Sequence, residues 1–167
     1  AITNDNKLKC WGDNSFGQVG DGTMIDRNLP TNIDLGLNVF PQQVALGWYH
    51  TCAITNGNNL KCWGYNANGQ LGDGTNDVTL VPTTIDFGLN VFPQEVALGA
   101  FHTCAITNDN KLKCWGDNSF GQVGDGTMID RNLPTNIDLG LNVFPQQIAL
   151  GGWHTCAITN DNKLKCW

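Results

Sequence analysis

The sequence predicts an all-β protein built from tandem four-stranded units. Three observations predict it. Cys10, Cys62, Cys114 and Cys166 stand 52 residues apart, as do Cys52, Cys104 and Cys156. Self-similarity at such a period implies a propeller, a solenoid or an array. Asn, Gly, Thr and Asp recur throughout, and these residues supply turns and tolerate positive φ, so the chain reverses direction often and its strands are short. With 41% apolar and 14% charged residues over 167 positions, the chain can fold around a core. No apolar run approaches the roughly 18 residues of a membrane span.

The strands follow from alternation and punctuation. In one period, Thr83 to Asp86 follows Pro82, Glu95 to Leu98 follows Pro93, His102 to Thr107 follows Gly99, and Leu112 to Trp115 closes the unit. The Gly-rich run GDNSFGQVGDGT then leads into the next unit, with glycines where a side chain would obstruct a tight turn. The units are 1–11, a terminal hairpin of a preceding repeat, and three repeats at 12–63, 64–115 and 116–167. Residues 1–43 are identical to 105–147, whereas the middle copy departs at Tyr65, Asn68 and 76–81, so the copies read A, B, A. Each sheet is apolar on both faces, with Cys52, Ile54, Leu60 and Cys62 on one side and Ala53 and Trp63 on the other. Only stacking of neighbouring repeats buries both.

Folding residues 53–61 about Gly57 sets Cys52 opposite Cys62. Directly opposed residues in a non-hydrogen-bonded antiparallel pair lie within bridging distance, and such a loop contributes about 2–3 kcal/mol on the chain-entropy model. The same register pairs Cys104 with Cys114 and Cys156 with Cys166. The partner of Cys10 by periodicity would stand immediately before Ala1, so Cys10 is unpaired by truncation and the chain is expected to continue past both ends. Three repetitions of a bridging register point to an oxidising, extracellular or cell-surface setting. Reduced structural thiols in a cytosolic protein are the rival reading.

Little else carries chemistry. A net charge of -6 and a pI near 4.7 argue against a nucleic-acid partner. Ser15 and Ser119 are the only serines and Glu95 the only glutamate. No nucleophile has a recognisable base, and no phosphate-cradling loop occurs, so no catalytic residue and no cofactor is expected. His50, His102 and His154 recur in HTC, but H-x-C without a second cysteine pair does not close a zinc site, and each histidine is expected to be buried and bonded to neighbouring backbone. Asp13, Asp21 and Asp26, with Asp117, Asp125 and Asp130, invite a calcium reading. They lack the spacing and closing glutamate of a calcium loop, and Asp before Gly is ordinary turn chemistry. No metal is expected.

The aromatic residues divide in two. Trp11, Trp63, Trp115 and Trp167 keep the period and are expected to pack between sheets. Trp48, Tyr49, Phe101 and Trp153 lie at two matched positions whose residues differ among copies, Ala100 and Gly152 being the alternatives. Such positions are expected at an exposed loop, as a binding rim.

The string CWGYNANGQLGDGT, followed by a proline, VALG, HTCAIT and LKCWG, resembles the RCC1 repeat over the whole chain. The resemblance implies RCC1-type propeller blades, here as part of a larger propeller or an open repeat array. The alternation A, B, A favours the array. With the cysteine reading, this leads to the expectation of a bacterial-type secreted, non-enzymatic structural or adhesive protein, a fibre among its forms, whose partners are other copies of the repeat or a cell-surface ligand. The alternative is a closed propeller that binds a protein partner through its loop face, as an inhibitor or exchange factor does.

Overall fold

A computed structural model describes the chain from Ala1 to Trp167. It contains strands and turns: β1 (Leu8–Gly12), β2 (Arg27–Ile33), β3 (Pro41–Leu46), β4 (His50–Thr55), β5 (Leu60–Gly64), β6 (Thr79–Ile85), β7 (Pro93–Leu98), β8 (His102–Thr107), β9 (Leu112–Gly116), β10 (Arg131–Ile137), β11 (Pro145–Leu150), β12 (Thr155–Thr159) and β13 (Leu164–Cys166). Sequential strands pair antiparallel into four sheets, β1-β2, β3-β4-β5-β6, β7-β8-β9-β10 and β11-β12-β13.

The sheets are out of step with the repeats by one strand. β6, the first strand of the unit 64–115, pairs with β5 of the preceding unit. Each sequence repeat therefore straddles two sheets and ties them covalently. β6 also starts earlier than its sequence suggests and runs through Pro82. Proline is tolerated there because β6 is an outer edge, and its register against β5 shifts between Cys62 and Gly64, so no ladder bond needs the missing N–H. β7 likewise begins on Pro93, the first position of a strand.

At the opposite edge, β3 packs on β7 and β7 on β11. An open inner edge presents unpaired backbone groups, and side chains of the preceding sheet cover some of them. Gln43 donates to the Val96 carbonyl at 3.0 Å and accepts from the Val96 N–H at 3.4 Å. Glu95 accepts from the Ile148 N–H at 3.3 Å.

The apolar faces meet between sheets. Cys52, Ile54, Leu60 and Cys62 bury against Ala105 and Trp115 of the next sheet, while Ala53 and Trp63 bury against Leu8, Val19, Ile33 and Leu35 of the one before. The structure joins Cys52 to Cys62, Cys104 to Cys114 and Cys156 to Cys166, each with Cα atoms 4.1 Å apart, and leaves Cys10 free. Thr155 and Trp167 exchange both backbone hydrogen bonds, which makes the adjacent Cys156–Cys166 pair non-hydrogen-bonded and close.

A polar relay crosses each interface. The Thr103 hydroxyl donates to the Gln70 carbonyl at 2.8 Å, so it accepts from His50 Nε2–H at 2.9 Å, which assigns the Nε2 tautomer to the buried imidazole. His102, Thr155 and the Gln122 carbonyl repeat the arrangement one sheet later. Trp115 Nε1 donates to the same Gln70 carbonyl at 3.0 Å. Two sequence expectations need correction here. The histidines reach threonine hydroxyls of the next sheet rather than nearby backbone, and His154 is exposed. Among the periodic tryptophans, Trp63 and Trp115 are fully buried, but Trp11 is half exposed because no sheet covers its face.

Burial lowers the His50 pKa to about 3 and that of His102 to about 4, the latter despite the Asp117 carboxylate, which opposes the shift. With folded values depressed, the unfolded chain binds more protons below about pH 6.5, so this contribution is complete above that value and lost as pH falls toward 4 and 3. The shifted carboxylates are lowered from 3.8, and their contribution is lost only at more acidic pH. The urea midpoint is therefore expected to fall between about pH 7 and about pH 5, ahead of carboxylate protonation. A flat profile over that interval would show that the histidines are hydrated.

Candidate functional site

The end of each sheet where β4 begins and β5 ends carries two kinds of loop. The short β3–β4, β7–β8 and β11–β12 loops present residues 47–49, 99–101 and 151–153, and the Gly-rich runs leave β1, β5 and β9. Each Gly-rich run is wound about a buried asparagine. Asn14 accepts from the Val19 N–H at 2.9 Å and donates to the carbonyls of Thr23 and Ile25 at 3.0 and 3.1 Å. Asn66 and Asn118 act alike toward Leu71 and Val123. The glycine that follows is equally constrained. Gly72 has φ 81°, and a Cβ there would lie 2.5 Å from Trp115 Nε1, so the loop accepts the next sheet's indole only against glycine.

On this scaffold six aromatic side chains meet. Phe16 lies 5.1 Å from Tyr49 and 4.9 Å from Tyr65, ring centre to ring centre. Phe101 lies 5.9 Å from Tyr65 and 6.0 Å from Tyr49. Trp48 extends the chain of rings, 5.7 Å from Phe101 and 5.2 Å from Trp153. Most of these contacts are edge-on, the arrangement aromatic quadrupoles favour. The cluster spans the β3–β4, β7–β8 and β11–β12 loops and two Gly-rich loops.

The four aromatic residues expected at a rim are thus brought together, with a difference. Trp48 and Trp153 are exposed, at 55% and 47%. Tyr49 and Phe101 are half-buried against each other and against Tyr65 and Phe16, and Ala100 is buried. The three copies differ here, as Trp48–Tyr49, Ala100–Phe101 and Gly152–Trp153, and each supplies at least one ring to the cluster. Phe16 and Tyr65 were not singled out as rim residues. The departure of the middle copy at Tyr65 was their signal.

That departure has a cost. In the flanking copies Gln18 donates to Asp13 at 2.7 Å and Gln122 donates to Asp117 at 2.8 Å. Tyr65 replaces this aspartate in the middle copy, and the amide nitrogen of the fully buried Gln70 has no partner. A buried unsatisfied donor costs about 1–3 kcal/mol. The aromatic ring at 65 is present in spite of that penalty.

The remaining acids are occupied within the fold. Asp21 and Asp125 form ion pairs with Arg27 and Arg131, and Asp26 accepts from the Asn14 N–H at 2.9 Å. Hydrogen bonds from Ser15, with a further one from Gln18, hold Asp13 below the usual carboxylate range. No group of three or more His, Cys, Asp or Glu converges in a way that could hold a metal ion.

Fold and site together define a segment of a β-propeller that displays an aromatic surface on one end of its sheets. The chain belongs to the RCC1 repeat family: the family described as "Regulator of chromosome condensation (RCC1) repeat" matches residues 5–54, 62–106 and 109–158. It is 34% identical over its whole length to the ultraviolet-B receptor UVR8 of Arabidopsis thaliana, of which it spans 38%. It is 29% identical to the human E3 ubiquitin-protein ligase HERC2, spanning 4% of that protein. Among solved structures, human WBSCR16 superposes on 96% of this chain with a TM-score of 0.84 at 26% identity, this chain covering 42% of that one. Yeast RCC1 (Prp20), in a structure bound to Kap60, superposes on 92% with a TM-score of 0.82 at 24% identity, 38% of that chain being covered. These relatives are eukaryotic and lend no support to a bacterial secreted form.

Tyr65→Asp tests the trade at Gln70. The variant restores the acceptor present in the flanking copies and removes ring contacts worth about 0.5–1.5 kcal/mol each, so its stability is expected to stay within about 1 kcal/mol of the parent. Urea unfolding with near-ultraviolet circular dichroism reports both quantities. A loss above about 3 kcal/mol would place Tyr65 in the core and remove the argument for a surface role.

Proposed function

We propose that this chain is the docking part of an RCC1-type propeller, a non-catalytic surface that binds a protein partner through its aromatic loop end. The observation that carries this reading is Tyr65, a ring kept on the surface cluster at the expense of a buried hydrogen bond. Residues that break a local rule without a structural return concentrate at functional sites. The exposed Trp48 and Trp153 supply the kind of rigid, amphipathic anchor that dominates interfaces. The fold is also compatible with such a role: yeast RCC1 carries Kap60 in its crystal structure.

Affinity capture with the whole protein tests the reading. Replacing Trp48 and Trp153 by Ala is expected to abolish retention of a partner that the parent holds reproducibly, while the thermal midpoint shifts little because exposed rings contribute little to stability. Equal capture by parent and variant would overturn it.

The three disulfides support a second part of the proposal, residence in an oxidising compartment. Non-reducing peptide mapping of native material is expected to recover Cys52 with Cys62, Cys104 with Cys114 and Cys156 with Cys166. Free thiols at these positions would remove the case for that location.

A further inference from the structure

We infer that the partner segment seated on the aromatic end is cationic, presenting arginine or lysine side chains to the rings and the carboxylates around them. The inference rests on the docking reading above and supplies its chemistry. Its basis is how the charge is distributed along the fold. The loop segments 12–27, 64–79 and 116–131 hold eight aspartates and two arginines, whereas the rest of the chain balances seven acids against seven lysines. The loops at the end of the sheets that carries the aromatic cluster therefore bear a net charge of -6. The opposite end, with the β4–β5 turns, holds six aspartates and three lysines, a net charge of -3, and the strands between carry four lysines and Glu95.

Both arginines at the acidic end are already engaged. Arg27 and Arg131 close on Asp21 and Asp125, carboxylates that are almost fully buried, and neither guanidinium is free to neutralise the surface. The exposed acids are Asp13, Asp26, Asp77 and Asp130. Asp13 accepts from Ser15, and Asp26 and Asp130 accept from the backbone N–H groups of Asn14 and Asn118, all neutral donors, while the Asp77 carboxylate accepts no hydrogen bond within the fold. No side-chain cation of this chain pairs with them, so their negative charge is uncompensated.

Rings and carboxylates interleave along the same loops. Phe16 follows Asp13 within one loop, and Tyr65 occupies in the middle copy the position of Asp13 and Asp117. An aromatic face attracts a cation through its quadrupole, and most strongly when the cation is an arginine that can also reach a carboxylate. A cationic segment satisfies both features. An acidic or purely apolar segment would leave the carboxylates desolvated and unpaired, which costs several kcal/mol.

The test uses the whole protein with fluorescent hexa-arginine and hexa-glutamate peptides, read by anisotropy and by the emission of Trp48 and Trp153. Hexa-arginine is expected to bind, to perturb tryptophan emission, and to weaken with rising salt. Trp48→Leu with Trp153→Leu, which keeps apolar bulk but removes the π face, is expected to weaken binding about tenfold. Asp13→Asn, Asp26→Asn and Asp130→Asn together are expected to do the same. Asp34→Asn, Asp86→Asn and Asp138→Asn, at the opposite end, serve as the control and should leave binding unchanged. Absence of hexa-arginine binding, equal binding of hexa-glutamate, indifference to the tryptophan pair, or equal loss in the opposite-end control would each overturn the inference. If capture depends on Trp48 and Trp153 but hexa-arginine does not bind, the docking surface stands and its cationic chemistry falls.

Discussion

The relay from imidazole to hydroxyl to carbonyl is the interaction on which the arrangement of sheets depends. His50 and Gln70 belong to one sheet, on β4 and in its β5–β6 loop, and Thr103 belongs to the next, so a single chain of hydrogen bonds sets the distance and rotation across the interface. The Gln70 carbonyl takes a second bond from Trp115, which fixes the largest side chain of the interface at the same point. Apolar burial alone is not directional. A buried polar network that must be satisfied has few solutions, and it turns stacking into a defined geometry. The one-strand offset between repeat and sheet adds a covalent tie at every interface.

With the sheets so held, the loops at one end converge and their side chains form a common surface. The aromatic cluster exists because loops from three successive repeats are brought within ring-contact distance, each contributing a residue that would be an isolated exposed aromatic on its own. The matched pairs are Trp48–Tyr49, Ala100–Phe101 and Gly152–Trp153, so every loop brings at least one ring although no two loops carry the same pair. The middle copy gives up the aspartate that its neighbours use to satisfy a buried glutamine, and gains a ring at the centre of the cluster.

The same geometry segregates charge. The loops at the aromatic end hold eight aspartates and two arginines, whereas the six aspartates at the opposite end are accompanied by three lysines, and four more lysines lie on the strands. A composition of -6 spread evenly would be a weak statement about solubility. Concentrated on one end beside exposed indoles, it becomes a statement about what can dock there.

Period, strand content, the pairing of cysteines across each hairpin, and the two-faced burial of every sheet were all legible in the sequence, because each follows from local spacing. Strand alternation puts Cys52 and Ile54 on one face whatever the sheet packs against, and opposed register follows from a turn at Gly57. The partners of His50 and His102 were not legible. Each histidine lies 53 residues from the threonine that accepts its hydrogen bond, and nothing local distinguishes that bond from one to nearby backbone. The boundary between sheets was also hidden, since β6 reads as the opening of its own repeat and only tertiary pairing assigns it to the one before. For the site, variation at matched positions marked Trp48, Tyr49, Phe101 and Trp153, but their union with Phe16 and Tyr65 depended on the angle between sheets. Local pattern determines which way a side chain faces; which side chains meet is decided by the interface that the buried relay holds in place.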